Sequence, residues 1–320
     1  MSPSITLRSG VAGFTGFKQL RETLKLTLRA GLHRHTTDGW LDLLNSHPMF
    51  AELVKARPRL LYKIYRPYLS NTTSAAERLV WLRAHYRHIF RHGLGPLTVQ
   101  AARSAVGLGS VTGKSGLVYQ LQLRAIEPME REGELVLQLL QDGALVYSCA
   151  FSFIPGDCGM QLVIGCMQGP RGEHGLQLIK DATRELHGLR PKNLMLKLLS
   201  QIAHDHGCAS LRLVGNANRA VCGATRQGKV HADYDALWLE LGAERQPDGD
   251  FRLASAAICA PDLSEVASKK RSEVRKRHEA LCELAQAMTI SLRAPRIEAV
   301  PVAPLHFGTP AGDEDKYALA

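Results

Sequence analysis

Apolar positions change their period along this chain, and the changes mark its elements. Phe17, Leu20, Leu24, Leu28 and Leu32 recur at helical spacing with Lys and Arg between them. That pattern predicts a basic amphipathic helix. A stripe of this kind either packs on a core or lies on an anionic membrane; core packing is the expectation here. Further helices are predicted over Asp38–Leu44 and Ser74–Arg91, with Pro48, Pro58 and Pro67 breaking up the stretch between them.

Beyond Gly107–Gly116, a Gly-, Ser- and Thr-rich stretch that reads as a linker or a turn into a new module, the period drops to two. Leu117, Tyr119, Leu121 and Leu123 share one face and Gln120 and Gln122 the other, as in a half-buried strand. Strand-like runs follow at Glu134–Leu140, Leu145–Phe153 and Met160–Cys166. The intervening turns, Gln141-Asp142-Gly143 and Pro155-Gly156-Asp157, predict an antiparallel meander.

A helical period then returns over Gln177–Leu186, with Gly188 as its C-cap. Pro191 suits the first turn of a second helix, which presents Leu194, Met195, Leu198, Leu199, Ile202 and Ala203 on one face and ends at Gly207. Ser210–Val214 reads as a buried strand closed by the polar turn Asn216-Ala217-Asn218. A short helix at Tyr234–Leu241, a strand at Phe251–Leu253 and a charged helix from Ser264 complete the pattern. The fold class is therefore α+β or α/β. It divides into a helical N-terminal region (1–106), a mixed, partly antiparallel sheet with packed helices (107–262), a basic C-terminal helix (263–292) and a Pro-, Ala- and Gly-rich disordered tail (293–320).

Composition adds compartment and partner class. The balance of 45% hydrophobic and 22% charged residues is that of a globular protein with a sizeable core. Seven cysteines, an odd number without a CxxC, argue against a disulfide framework and for a reducing, cytoplasmic setting, peripheral to the inner membrane if the basic helix docks there. No signal peptide or membrane-spanning run is recognisable. The formal net charge of +10 favours anionic partners: an anionic small molecule, an anionic membrane surface or nucleic acid. Nucleic acid is the disfavoured one, because the cluster Lys269, Lys270, Arg271, Arg275, Lys276 and Arg277 has no interleaved aromatics for base stacking.

Candidate chemistry concentrates between Phe151 and Asn218. Gly188-Leu189-Arg190-Pro191-Lys192 opens a helix whose free N–H groups and dipole favour anions, and Arg190 and Lys192 add charge, with Lys180, Arg184 and His187 just before them. Asn216 and Asn218 stand where they would hydrogen-bond a substrate, and Asp233 or Asp235 where one would act as base or orient a base. The competing role of these Asn and Asp residues is turn formation. Cys166 near His187 is a weaker nucleophile candidate, since a strand Cys is ordinarily buried. His85, His88 and His92 share a helix face, but without HExxH or a cysteine partner no metal site is expected.

The succession of strand, strand, turn, helix and strand resembles the layout of acyl-CoA N-acyltransferases of the GNAT type. Gln168-Gly169-Pro170-Arg171-Gly172 occupies the position of their pyrophosphate turn, although a further short helix intervenes before Gly188. The resemblance implies an acyl-CoA cofactor, with Glu132, Glu134 or Asp157 as general base.

Several separated motifs resemble the VirK/YbjX-like family of bacterial proteins. They are Asn71, Arg78 and Leu82–Tyr86, Arg131-Glu132-Gly133-Glu134-Leu135, Phe151-Ser152-Phe153, Ile164–Gly169, Gly188–Lys192, Asn216–Asn218, Asp233-Tyr234-Asp235 with Trp238, and Ser268–Ser272. The likeness runs from about Phe14 to Leu284. It implies a Gram-negative bacterial protein linked to virulence, stress response, envelope integrity and antimicrobial-peptide resistance, and it implies no reaction. Two functions remain open. One is acyltransferase-like binding or transfer of an acyl-type anionic ligand by catalytic Asp233, Asp235 and His187, with Gln168, Arg190, Lys192, Asn216 and Asn218 as binding residues. The other is non-enzymatic binding of an anionic membrane surface or protein partner through basic helices.

Overall fold

Helices from the first third of the chain lie against a mixed sheet, and a buried polar network joins the two. The structure, a computed structural model, describes residues 4–221 and 233–294. The opening helices are α1 (Gly16–Leu32), α2 (Arg34–Asn45), α3 (Pro48–Ala56), α4 (Ala75–Arg91) and α5 (Gly95–Arg103), with a 3-10 segment at Pro58–Tyr65. Pro48 and Pro58 begin helical segments rather than merely interrupting them, because a first-turn residue needs no N–H partner. Ser74 starts α4 through a capping box: Glu77 N–H donates to Ser74 Oγ at 3.2 Å and Ser74 N–H to Glu77 Oε2 at 2.7 Å.

The strands are β1 (Val106–Thr112), β2 (Val118–Ala125), β3 (Leu135–Gln141), β4 (Ala144–Gly156), β5 (Gly159–Gln168), β6 (Ser210–Leu213), β7 (Glu244–Arg245) and β8 (Phe251–Ala254). They form one sheet in the order β1-β2-β3-β4-β5-β6-β8-β7. Every pairing is antiparallel except β5 with β6, where Gln161 faces Ser210 and Ile164 faces Leu213. A parallel pair needs a crossover, and α6 (Gly172–Glu185) with α7 (Pro191–Asp205) supplies it. The short α8 (Tyr234–Glu240) lies between β6 and β7, and α9 (Ser268–Arg293) follows β8. The chain is thus mixed α+β with a mostly antiparallel sheet. One hydrophobic core extends from Ile5 through the sheet to Met288.

Three expectations change. Gly107–Gly116 is not a linker: most of it is the edge strand β1 and its turn. Gly109 in it reflects packing, since a Cβ there would stand 2.7 Å from Ala287 Cβ on α9. The alternation assigned to β2 holds at Tyr119, Leu121 and Leu123, which are buried, but Leu117 precedes the strand and is exposed. The third change concerns α1. Its apolar stripe does not pack: Phe17 is 80% and Leu32 81% exposed, and Leu20, Leu24 and Leu28 are exposed with them. The opposite face docks instead, with Leu26 joining Val11 and Tyr62 in a small satellite cluster. Arg293 closes α9; the tail beyond residue 294 and Cys222 lie outside the described residues. Among the described residues, no helix is long and apolar enough to cross a membrane.

Candidate functional site

The start of α7 sits where the sequence places an anion cradle. Arg190 is its N-cap and Pro191 its first residue. They border a cleft of about 800 Å³ together with Lys192, Lys180, Arg184 and Tyr147. α6 and α7 therefore bring these cations to one wall. Sequence reasoning missed the partner. Glu240, the last residue of α8, reaches across to Arg190 (3.0 Å) and Lys192 (2.6 Å). The hydrogen bond and charge of Lys192, then Arg190, hold the Glu240 carboxyl below the usual carboxylate range. The cradle thus closes on an internal carboxylate. Arg184 is likewise paired, with Asp181 one helical turn away.

The polar turn after β6 forms a second group. Asn216 Nδ2 donates to Asp233 Oδ1 at 2.7 Å, Asn216 N–H to Asp235 Oδ1 at 2.7 Å, and Tyr234 N–H to Asn216 Oδ1 at 2.9 Å. Asp233 also caps α8, accepting from Ala236 N–H at 3.1 Å. That bond and the one from Asn216 lower its pKa. Asp235 pairs with Arg245 at 2.5 Å. Asn218 is buried and donates to Asp248 O and Asp250 Oδ1, each at 2.8 Å. The buried Asp250, which no sequence pattern singled out, also accepts from Gly215 N–H at 3.0 Å and pairs with Arg212 at 2.6 Å. Asn216, Asp233 and Asp235 therefore meet one another, and each is committed to fixing the turn and starting α8. None of them lines the α6–α7 cleft.

The remaining candidates are dispersed. Gln168 ends β5 and is exposed; it pairs with Ser148 in the ladder. His187 takes a left-handed backbone (φ 53°), and its carbonyl accepts from Arg277 Nε of α9 at 2.9 Å. Cys166 is buried, and Tyr234 Oη donates to its Sγ at 3.2 Å. Burial, with the nearby Glu132 charge, pushes its thiol well above the ordinary range, so it is no ready nucleophile. Of the acyltransferase base candidates, Glu132 is buried and shifted upward by desolvation, Glu134 is sealed in an ion pair, and Asp157 is exposed on a turn. Lys269, Lys270 and Arg271 stand exposed at the beginning of α9.

The histidines of α4 have different partners. His85 is in the core, where its Nδ1 accepts from Phe153 N–H at 3.2 Å. His88, stacked on Phe153, and His92 meet His206, the C-cap of α7. Their ligand nitrogens lie within 4.8 Å of one another. His206 follows the α7 pattern by one residue, and nothing in the sequence links it to α4.

A family model described as "Protein of unknown function (DUF535)" matches residues 15–289. The chain is 29% identical to "Uncharacterized protein YbjX" of Escherichia coli over 275 residues, 84% of this chain and 83% of that one. It is 26% identical to an "Uncharacterized protein" of Haemophilus influenzae over 271 residues, 84% and 89% of the two chains. It is also 29% identical to "Membrane protein LapB" of Mannheimia haemolytica over 187 residues, 58% of this chain and 78% of that one. No solved structure matches.

Proposed function

This chain belongs to the DUF535 family, whose YbjX-like relatives are bacterial, and from that premise we propose that it acts as a peripheral protein of an anionic membrane surface. The carrying observation is the outward apolar stripe of α1, five large side chains in a row on a helix that is otherwise docked. Lys18, Arg21, Lys25 and Arg29 of the same helix lie to one side of that stripe, against a single acid, Glu22, which is buried. An anionic leaflet complements both features. Fully burying a Leu or Phe is worth about 1.5–3 kcal/mol, and each Lys or Arg near an anionic surface about 1 kcal/mol. Water alone leaves the stripe unsatisfied. The exposed Lys269, Lys270 and Arg271 add to the same attraction, and the printed name of the Mannheimia relative agrees with it. In this reading, support of envelope integrity and antimicrobial-peptide tolerance follows from occupying an anionic surface. Vesicle co-sedimentation tests it. The chain is expected to bind phosphatidylglycerol vesicles in a salt-sensitive manner, bind phosphatidylcholine vesicles weakly, and lose binding in Leu20→Asp/Leu24→Asp. Equal binding by that variant would overturn the reading.

A second reading rests on the basic cleft between α6 and α7. Its cations and its place beside the parallel crossover support an acyl-type anionic ligand, an acyl-CoA among them, held by Arg190 and Lys192. The GNAT-like layout belongs to this reading. Thermal-shift titration with acyl-CoAs is the measurement. A stabilisation that Arg190→Ala abolishes supports ligand binding there, and no shift from any acyl-CoA sinks it.

A further inference from the structure

The histidine cluster at the ends of α4 and α7 has no part in either reading. His88 and His92 are one helical turn apart, so they share a face. Their rings stack with centroids 4.2 Å apart, and His206 closes the group at 4.9 Å from His92 and 5.4 Å from His88. The three differ in access: His88 is 6% exposed, His206 half-buried and His92 exposed. Phe153 forms the floor, stacked on His88 at 4.1 Å and tilted against His206 at 5.5 Å.

Two polar atoms in this group are buried without a hydrogen-bond partner, Nε2 of His88 and Nδ1 of His206. A buried nitrogen without a partner costs stability, and such groups ordinarily find one. Here the two belong to neighbouring imidazoles in a group whose ligand nitrogens lie within 4.8 Å of one another. Hydrogen bonding between them would satisfy at most part of the set. A cation with vacant coordination positions would satisfy all three rings. We infer that His88, His92 and His206 form a binding site for a zinc ion.

The donor set narrows the metal. Three imidazoles without a carboxylate suit zinc, copper or nickel and are poor ligands for magnesium or calcium. Asp205, next in the chain to His206, is committed to Gln201 (2.8 Å) and Thr289 (3.0 Å). Zinc bound by three histidines keeps a fourth position for water, and the exposed side of His92 leaves room for it. Ligands of a tetrahedral zinc stand roughly 3.3 Å apart for Zn–N bonds of about 2.0–2.1 Å. His88 and His92 are stacked here, so metal binding requires the exposed His92 ring to turn until its nitrogen points to the same centre as those of His88 and His206. Arg91 and Arg293 oppose a cation electrostatically, so the site is expected to bind zinc less tightly than one ringed by carboxylates.

The arrangement also ties regions far apart in sequence. α4 belongs to the N-terminal helices and α7 to the sheet crossover, so a bound metal would staple the two. The readout is therefore both binding and stability.

Chelator-stripped full-length protein titrated with zinc chloride by calorimetry tests the site. One equivalent should bind saturably, with a rise in melting temperature. His92→Ala, which removes an exposed side chain and spares the core, should weaken binding at least tenfold and cancel the thermal shift. His206→Ala should do the same, and His174→Ala, an exposed histidine on α6, should change neither. Absence of saturable binding to the wild-type chain would overturn the inference. So would undiminished binding by His92→Ala, or an equal loss in His174→Ala.

Discussion

Lys63 Nζ lies 2.7 Å from Glu134 Oε1, and both side chains are sealed from solvent. Tyr86 Oη of α4 donates to the other carboxylate oxygen at 2.5 Å. Glu134 N–H donates to Ser152 Oγ of β4 at 2.9 Å, and that hydroxyl is shared with Tyr68 Oη at 2.8 Å. Lys63 also donates to the backbone carbonyls of Glu130 and Gly133. A charge from the helical region is thus bound inside the sheet, and many residues that carry the family likeness sit in or beside this network.

Glu134→Gln would leave Lys63 buried without its counter-ion. Removing one partner of a buried pair costs about 3–5 kcal/mol, whereas replacing both costs far less. Urea unfolding should show Glu134→Gln strongly destabilised and Lys63→Met/Glu134→Gln closer to wild type. A double variant as unstable as the sum of its singles would show that the pair is not coupled.

His85 gives a pH signature. Burial holds its folded-state pKa at about 3, below the ordinary 6.5. As pH falls below 6.5 the unfolded chain takes up the proton first. The contribution is therefore complete above 6.5 and is lost progressively toward 3, at about 1.4 kcal/mol per pH unit. His85→Asn keeps an acceptor for Phe153 N–H and removes the titration. Its urea midpoint, followed from pH 6.5 to 4, should fall less steeply than that of wild type.

Gly109 meets α9 where a side chain does not fit. Gly109→Ala should destabilise by about 1–3 kcal/mol through overpacking against Ala287. Ala287→Gly on the facing helix should restore part of the loss, a coupling that thermal denaturation of the double-mutant cycle would detect.

Glu240 occupies the charge that an external anion would need. Glu240→Gln frees Arg190 and Lys192, and affinity for phosphate-bearing ligands such as coenzyme A should rise several-fold in calorimetry. Unchanged or weaker affinity would mean that the cleft does not use these two cations.

Local order was readable to a useful depth. The helix beginning at Ser74, the first-turn Pro191 and the alternation at Tyr119, Leu121 and Leu123 are written in neighbouring residues, and the structure realises each. α5 was not visible, because its nine residues carry a weak period between Gly93 and Ser104. β1 was hidden by its glycines, one of which, Gly109, has its reason more than 150 residues away, at Ala287. Of the site candidates, the nearness of Arg190 and Lys192 to Lys180 and Arg184 along the chain was legible. Their capture by Glu240 was not.

By itself the sequence determined most of the helices and strands, where the cations gather in the chain and which family the chain resembles, because those properties depend on residues close together in the chain. Only the tertiary structure decided which face of α1 is buried, since a stripe of leucines packs or stays bare according to what stands opposite it. Likewise only the fold could join His206 to His88 and His92, Glu134 to Lys63, and Asn216 to Asp233. Each grouping is brought together by packing between elements, for which no local period carries a signal.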